Sequence, residues 1–397
     1  MCGSPSAGPL SGTRVLELGG IGPVPFAGML LADLGAQVLR IDRQGAGFEM
    51  PIPPEKDTLH RGKQRLSLDL KHPDGASTVL MLVEDADVLL DSNRPGVLER
   101  LGLGPDVLLE RNPGLVVGRM TGWGQDGPLA ARAGHDPTYI ALTGALHAIG
   151  RAGGPPQLPL SLVGDFGGGA MYLVAGVLSA LLERHRSGRG QVVDASIVDG
   201  VAHLMASPYS LLAGGAWQVE RGTNLIDTGA PFVDVYETAD ARYVAVAALE
   251  PPFFAQLLAG LALDPAEVPE QWDRSSWGRM RKLFTACFRR RTRDEWDAVF
   301  RERDACVSPV LSLEEAPHHP HLRARGTFVE RDGAYEPAPA PRFSRTPSTL
   351  PAPPVAPASA DPRASLDAWG ASRVPQILSS GAVSGSDAQT SHAALSH

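Results

Sequence analysis

Disulfide-ready cysteines, a secretion leader and the glycine signatures of nucleotide binding are all missing from this 397-residue sequence. Its three cysteines, Cys2, Cys287 and Cys306, are scattered without CxxC spacing, which argues against a disulfide framework and a zinc site and fits a reducing cytoplasm. No basic region precedes an apolar stretch at the N-terminus. No apolar run approaches the ~20 residues that span a bilayer, so neither export nor a membrane is expected. A formal net charge of -8 gives no general attraction for nucleic acid, so an anionic ligand has to be met by local Lys and Arg residues. The phosphate-loop motif GxxxxGK[ST] does not occur. The nearest approach to a dinucleotide fingerprint, GGIGPVPFAGML, puts Pro23 and Pro25 where the pyrophosphate turn needs free backbone N–H groups.

What is present is an ordinary globular composition, 43% hydrophobic and 20% charged, on a chain long enough for one large and one smaller domain. From Arg14, short β-rich runs (RVLELGG, AQVLRIDR, RLSLDL, DVLLDS, LVVGRMTGWG) alternate with helical patterns at PFAGMLLADLG, 73–86 and 105–112. That alternation predicts an α/β domain with a parallel sheet over 1–205. Next, DFGGGAMYLVAGVLSALLERHRSGRGQ reads as a long apolar helix with Asp165 at its opening and Gly188 as its stop. A hairpin pattern, PFVDVYETADARYVAVAALE, followed by helices near 251–262, 275–290 and 292–303, predicts a smaller α+β domain over 222–327. A C-terminal segment, 328–375, is extended and Pro- and Ala-rich from Pro337, and 376–397 reads as a disordered tail.

Chemistry concentrates at two places. In AGHDPTYIALTGAL, His135 and Asp136 stand just ahead of a helical pattern, and Asp165 opens the next helix in VGDFGGG. Such a His is equally a helix cap or a buried imidazole, but Gly167, Gly168 and Gly169 suggest a ligand approaching the Asp165 turn. Arg40, Arg43, Arg61, Lys63, Arg65, Lys71 and Arg94 fall at strand ends or loops, where they read either as grips for phosphate groups or as a solvated rim. His318, His319 and His321 read as a surface turn, and the run RKLFTACFRRRTRDEW as a solvated helical face. Cys287 and Cys306 read as structural residues in apolar surroundings. The Met- and aliphatic-rich stretch 201–216 reads as core.

Several ordered segments carry a specific likeness: LADLGAQVLRIDR, RGKQRLSLDLK, NRPGVLERLGLGP, AGHDPTYIALTG, GDFGGG, GRGQVVDASIVDG, GAPFVDVYETADARYVAVAALEPPFF and DACVSPVLSLEEA. Through them, over about residues 10–345, the chain resembles the family III CoA-transferase (CaiB/BaiF) superfamily, and within it the α-methylacyl-CoA racemases. The likeness implies a Rossmann-like large domain, a smaller domain, a C-terminal segment returning to the large one, and an interlocked homodimer with its active site between subunits. It implies an enzyme of fatty acid and lipid metabolism that racemises 2-methylacyl-CoA thioesters with no cofactor, coenzyme A being part of the substrate. His135 and Asp165 fall on the family's acid/base pair, and Glu250 on the residue that partners the His. Arg43, Leu68, Asp69, Leu70 and Lys71, together with Gly134, Asp136, Pro137, Thr138 and Tyr139, fall on CoA-contacting positions; Arg94 of NRPG is a further candidate. Two departures stand near the pair: Pro137-Thr138 replaces the commoner Ile-Asn, and Gly164 stands where other members often carry Ala.

The chemistry requires such a pair. A thioester acidifies its α-hydrogen by delocalising the carbanion as an enolate, and racemisation needs one proton-carrying group on each face. Backbone N–H groups at the helix start by Asp136 are the expected oxyanion donors. Two alternatives stay open: CoA transfer, in which Asp165 attacks the thioester to form an anhydride, and a non-catalytic acyl-CoA binding protein.

Overall fold

The computed structural model describes residues 8–43 and 51–384, so Cys2 and the tail beyond 384 lie outside the described residues. Packing divides the chain into two compact units: residues 1–143, 160–204 and 329–397 form one, and residues 144–159 and 205–328 the other. The boundaries predicted from sequence are contiguous, and the real ones are not. Segment 144–159 belongs to the second unit because Arg221 donates from Nε to the His147 carbonyl and from Nη1 to that of Gly154, both at 2.7 Å. Arg151 adds an ion pair to Asp234.

The first unit is built on strands β1 (Arg14–Leu18), β2 (Gln37–Arg43), β3 (Lys63–Leu68), β4 (Val88–Asp91), β5 (Val116–Thr121) and β6 (Val192–Ser196). Val15, Leu16, Val88, Leu89, Leu90, Val116 and Val117 are buried, as a sheet covered on both faces requires. The order is β3-β2-β1-β4-β5-β6 with all neighbours parallel, so the winding reverses between β1 and β4. The crevice beyond the carboxyl ends of those two strands is the natural ligand position.

A short C-terminal strand, Val383–Ser384, adds antiparallel to β3. The sheet is therefore mixed rather than wholly parallel, and the predicted disordered tail is ordered as far as Ser384. Its anchor is apolar. Leu366 and Trp369 of the helix Pro362–Trp369, then Val374, Ile377 and Ala382, join the core, and the Trp369 indole donates to the carbonyls of Val15 and Gln37.

Residues 162–187 are, by length and composition, apolar enough to cross a membrane, against the sequence expectation. In this fold Leu173, Val174, Val177, Ala180 and Leu181 of the helix Met171–Ser187 are buried, and the helix packs on β5 and β6. Gly118 of β5 admits it, since a Cβ there would stand 2.8 Å from Leu173. Gly188 ends the helix with φ 73°, as predicted.

The second unit holds an antiparallel sheet of β7 (Val233–Glu237), β8 (Tyr243–Ala247) and β9 (Val307–Pro309), with the predicted helices observed at Pro251–Gly260, Trp277–Phe288 and Arg293–Phe300. Phe232, Tyr236, Phe284, Phe288, Trp296 and Phe300 make its core. Three readings change here. Arg293, taken as part of a solvated face, is buried and paired with Glu315. Cys287 is buried but Cys306 is exposed. The helix Ala206–Ala213, taken as core, buries no residue.

Candidate active site

His135 is the N-cap of the helix Asp136–Leu142, with extended backbone (φ -140°, ψ 167°). The cap is made by Thr138, whose hydroxyl accepts from the His135 N–H (3.1 Å) and donates to its carbonyl (2.7 Å). The imidazole is thus exposed and exempt from capping. The helix start offers less to an oxyanion than predicted. Pro137 has no N–H, and the N–H groups of Thr138 and Tyr139 return to the His135 carbonyl. Among the described residues, the Asp136 N–H is the first-turn donor for which no partner is seen.

Asp165 lies in the first turn of a π-helical segment, Leu162–Ala170, which leads into the long helix. Such segments recur at functional sites. Its backbone N–H donates to Asp136 Oδ2 at 2.7 Å. The Asp136 carboxylate is buried, its Oδ1 without a hydrogen-bond partner among the described residues. Gly164 makes this possible, because a Cβ there would overlap Asp136 Oδ2. The departure from Ala noted in the sequence is therefore tied to how Asp136 reaches Asp165.

The Asp165 carboxyl rests against Gly22, where a Cβ would stand 2.9 Å from Oδ2. Gly22 has φ 69° and opens the helix Pro23–Asp33 at the carboxyl end of β1, on the crevice the topology predicts. Among the described residues, no donor bonds this carboxyl. Burial, then the negative charge of Asp136, push its pKa up to about 6, and His135 counters in part. Asp136 is itself raised by burial, against the hydrogen bonds from the Asp165 and Gly164 N–H groups. Burial also raises the Tyr139 phenol, with the Asp165 charge adding and Arg94 opposing.

Three contributors escape sequence reasoning. Trp123 meets Tyr139 edge-on at 4.7 Å, and Phe26 stacks on Phe166 at 4.7 Å, flanking the Asp165 turn. Gly22 is the third, and its only signal was the GGIGP turn already set aside for lacking N–H groups. The glycine run means something other than a nearby ligand. A Cβ on Gly168 would meet Val201, and Gly200 lies against the Gly168 carbonyl, so Gly168 serves close packing against the helix Ile197–Leu204.

Of the CoA-contacting candidates, Arg43, Lys71 and Arg94 are exposed at the carboxyl ends of β2, β3 and β4. Asp69 accepts from the Lys71 N–H at 2.9 Å, and Leu70 packs partly on the core. Leu68 is wholly buried, with β2 on one side and the C-terminal strand on the other, so its side chain offers no contact. Gly134 carries the ring edge of Tyr139, while Pro137 and Thr138 lie in the helix start. Arg40, Arg61, Lys63 and Arg65 are neither phosphate grips nor rim: all four are buried, paired with Glu17, Asp33, Asp42 and Glu336. Glu250, in the second unit, is exposed at the head of the helix Pro251–Gly260 and makes no cap bond with its side chain. Among the described residues no group of three or more His, Cys, Asp or Glu is disposed to hold a metal.

The fold is shared with CaiB/BaiF proteins of known structure. A solved CAIB/BAIF family protein from Brucella suis shares the fold, with a TM-score of 0.76 at 24% identity over 88% of this chain and 96% of that one. The chain belongs to CoA-transferase family III, whose pattern matches residues 10–364. It is 47% identical to the α-methylacyl-CoA racemase of Mus musculus, covering 85% of this chain and 87% of that protein. It is 43% identical to that of Homo sapiens over the same shares.

Proposed function

We propose that this protein interconverts the configurations of 2-methylacyl-CoA thioesters by 1,1-proton transfer through an enolate, with His135 and Asp165 as the acid/base pair. The observation that carries the reading is the Asp165 carboxyl: half-buried against Gly22, given no hydrogen-bond donor and no Lys or Arg partner among the described residues, and pushed up to about 6 by burial and by Asp136. A carboxyl tuned towards neutrality can both take and return a proton. One group removes the α-hydrogen, the electron pair moves onto the thioester oxygen, and the other group delivers a proton to the opposite face. The pair holds one proton before and after turnover and two while the enolate exists, so either face can react first. In this reading the Asp136 N–H donates to the enolate oxygen. Glu250 enters as the partner of the imidazole, and Arg43, Lys71 and Arg94 as grips for the phosphates of coenzyme A. The reading needs neither metal nor redox cofactor, because the thioester supplies the acidity. It places the protein in the cytoplasm, in lipid metabolism, as a homodimer without a membrane span.

The test is deuterium uptake at the α-carbon of a 2-methylacyl-CoA in D₂O with no acyl acceptor. Exchange is expected in the wild type and a loss of about 10²–10⁴-fold in His135→Ala and in Asp165→Asn. Acyl transfer that requires a free acid as acceptor would assign Asp165 to anhydride chemistry instead. A wild type that shows neither exchange nor transfer would reduce the protein to a binder, and variants that exchange like an active wild type would remove the roles given to His135 and Asp165.

A further inference from the structure

The turn joining β1 to the helix Pro23–Asp33 forms the wall beside the Asp165 carboxyl, and by itself it is poorly secured. Gly19, Gly20 and Gly22 have φ of 36°, 103° and 69°, and such glycines surrender much backbone freedom on folding. Pro23 and Pro25 bring no N–H. Two of its carbonyls, and one in the first turn of the helix it leads into, are held by side chains from three other strands or their ends. Ser92 Oγ donates to the Gly19 carbonyl (3.2 Å), Arg40 Nη2 to that of Gly20 (3.0 Å), and Lys63 Nζ to that of Pro25 (2.9 Å).

Both cations converge on one carboxylate. Lys63 Nζ stands 2.7 Å from Glu17 Oε2, and Arg40 bonds the other oxygen while its Nε reaches Asp42 at 2.8 Å. Gly28 leaves the space, since a Cβ there would overlap Glu17. His60, buried among Lys63, Arg40 and Arg65, is kept neutral by burial and by those charges. Buried ion pairs contribute little net stability compared with apolar residues of the same volume. That two of these cations also end on carbonyls of the turn and of the helix start it leads into points to a use for them.

We infer that Arg40 and Lys63, clamped by Glu17, are positioning residues for the reaction, fixing the glycine turn that keeps the Asp165 carboxyl in place and shielded from water. The inference rests on the reading of Asp165 as an acid/base group. The charges that act on Asp165 are those of Asp136 and His135, and neither Arg40 nor Lys63 is among them. The clamp therefore works through the position of the turn and the water it excludes, and the main cause of the raised carboxyl, burial, is what it protects.

The test uses Arg40→Lys, which keeps a positive charge beside Glu17 but loses the planar fork that reaches Gly20 and Asp42 together. The kcat for α-proton exchange is expected to fall about 10- to 100-fold, with KM changed by less than about twofold. The acidic limb of the kcat profile is expected to move to lower pH, because a carboxyl that water reaches ionises more readily. Ser92→Ala, which deletes an uncharged tether, is expected to shift both quantities the same way by a smaller amount, about threefold in kcat. It keeps the test decisive should Arg40→Lys fail to fold. Folded variants with lowered melting temperature but wild-type kcat and an unmoved limb would overturn the inference and leave the clamp a purely structural device. Exchange that survives in Asp165→Asn would instead overturn the parent reading, whatever the clamp variants do.

Discussion

Two sets of buried or half-buried carboxylates sit in the first unit, and they are treated in opposite ways. Glu17, Asp33 and Asp42 each face an Arg or Lys at salt-bridge distance. Asp136 and Asp165, at the carboxyl-end crevice, repel each other; Asp136 has only backbone N–H donors, Asp165 has no donor among the described residues, and no Lys or Arg among them pairs with either. Proximity to cations is not scarce in this protein; it is withheld from one corner. A charge that only has to be buried is neutralised by a partner, whereas a charge that has to come and go is left for burial to destabilise.

The contrast can be broken or sharpened by substitution. The largest effect on stability is expected from Arg61→Met, which strands Asp33 in the interior and leaves Glu336 to Arg331 alone. Removing one partner of a buried pair costs about 3–5 kcal/mol. Denaturant midpoints should show the loss, while the pH profile of exchange in the folded protein keeps its shape. A shifted profile would mean that the two sets of charges are not separate systems.

Asp136→Asn probes the other set. The amide oxygen can still accept from the Asp165 N–H, but the negative charge is gone. Asp165 then ionises below its value of about 6. Activity fails on the acid side when the pair takes up a second proton, so a lower carboxyl pKa moves that limb to lower pH. A loss of exchange of about tenfold accompanies it as proton affinities fall out of balance. A kcat profile with an unmoved acid limb would assign the raised carboxyl to burial alone. The smallest effect is expected from Gly164→Ala, whose Cβ forces the Asp136 carboxylate to give way. About 1 kcal/mol of stability and a loss of exchange of about threefold should appear in thermal melts and rate measurements. No change in either would show that Asp136 has room to relax.

Much of this organisation was legible in the residues. Strand runs such as VLEL and VVGRM are dominated by apolar residues because both faces of the sheet are covered, and Gly188, Asp165 and His135 mark helix ends through local backbone chemistry that spacing reveals. The misreadings share a cause: they depend on partners distant in sequence. Lys63 and Arg65 look the same in sequence whether they face phosphate or the interior, and only β1 and β2, laid beside β3, supply the carboxylates that decide it. Segment 144–159 was assigned by continuity, but Arg221 and Asp234 claim it. Gly168 was read as room for a ligand when it is room for Gly200. Leu366 and Trp369 were obscured by the prolines around them.

Those last two residues have a consequence for biosynthesis. The helix Pro362–Trp369 and the strand Val383–Ser384 complete the flank of β3, yet they are translated after the entire second unit. A nascent chain on the ribosome therefore carries a Rossmann-wound sheet with one open margin, its backbone donors and apolar seat for the Trp369 indole exposed while some two hundred further residues are being added. Maturation cannot run domain by domain from the N-terminus, and the unit begun first is sealed last.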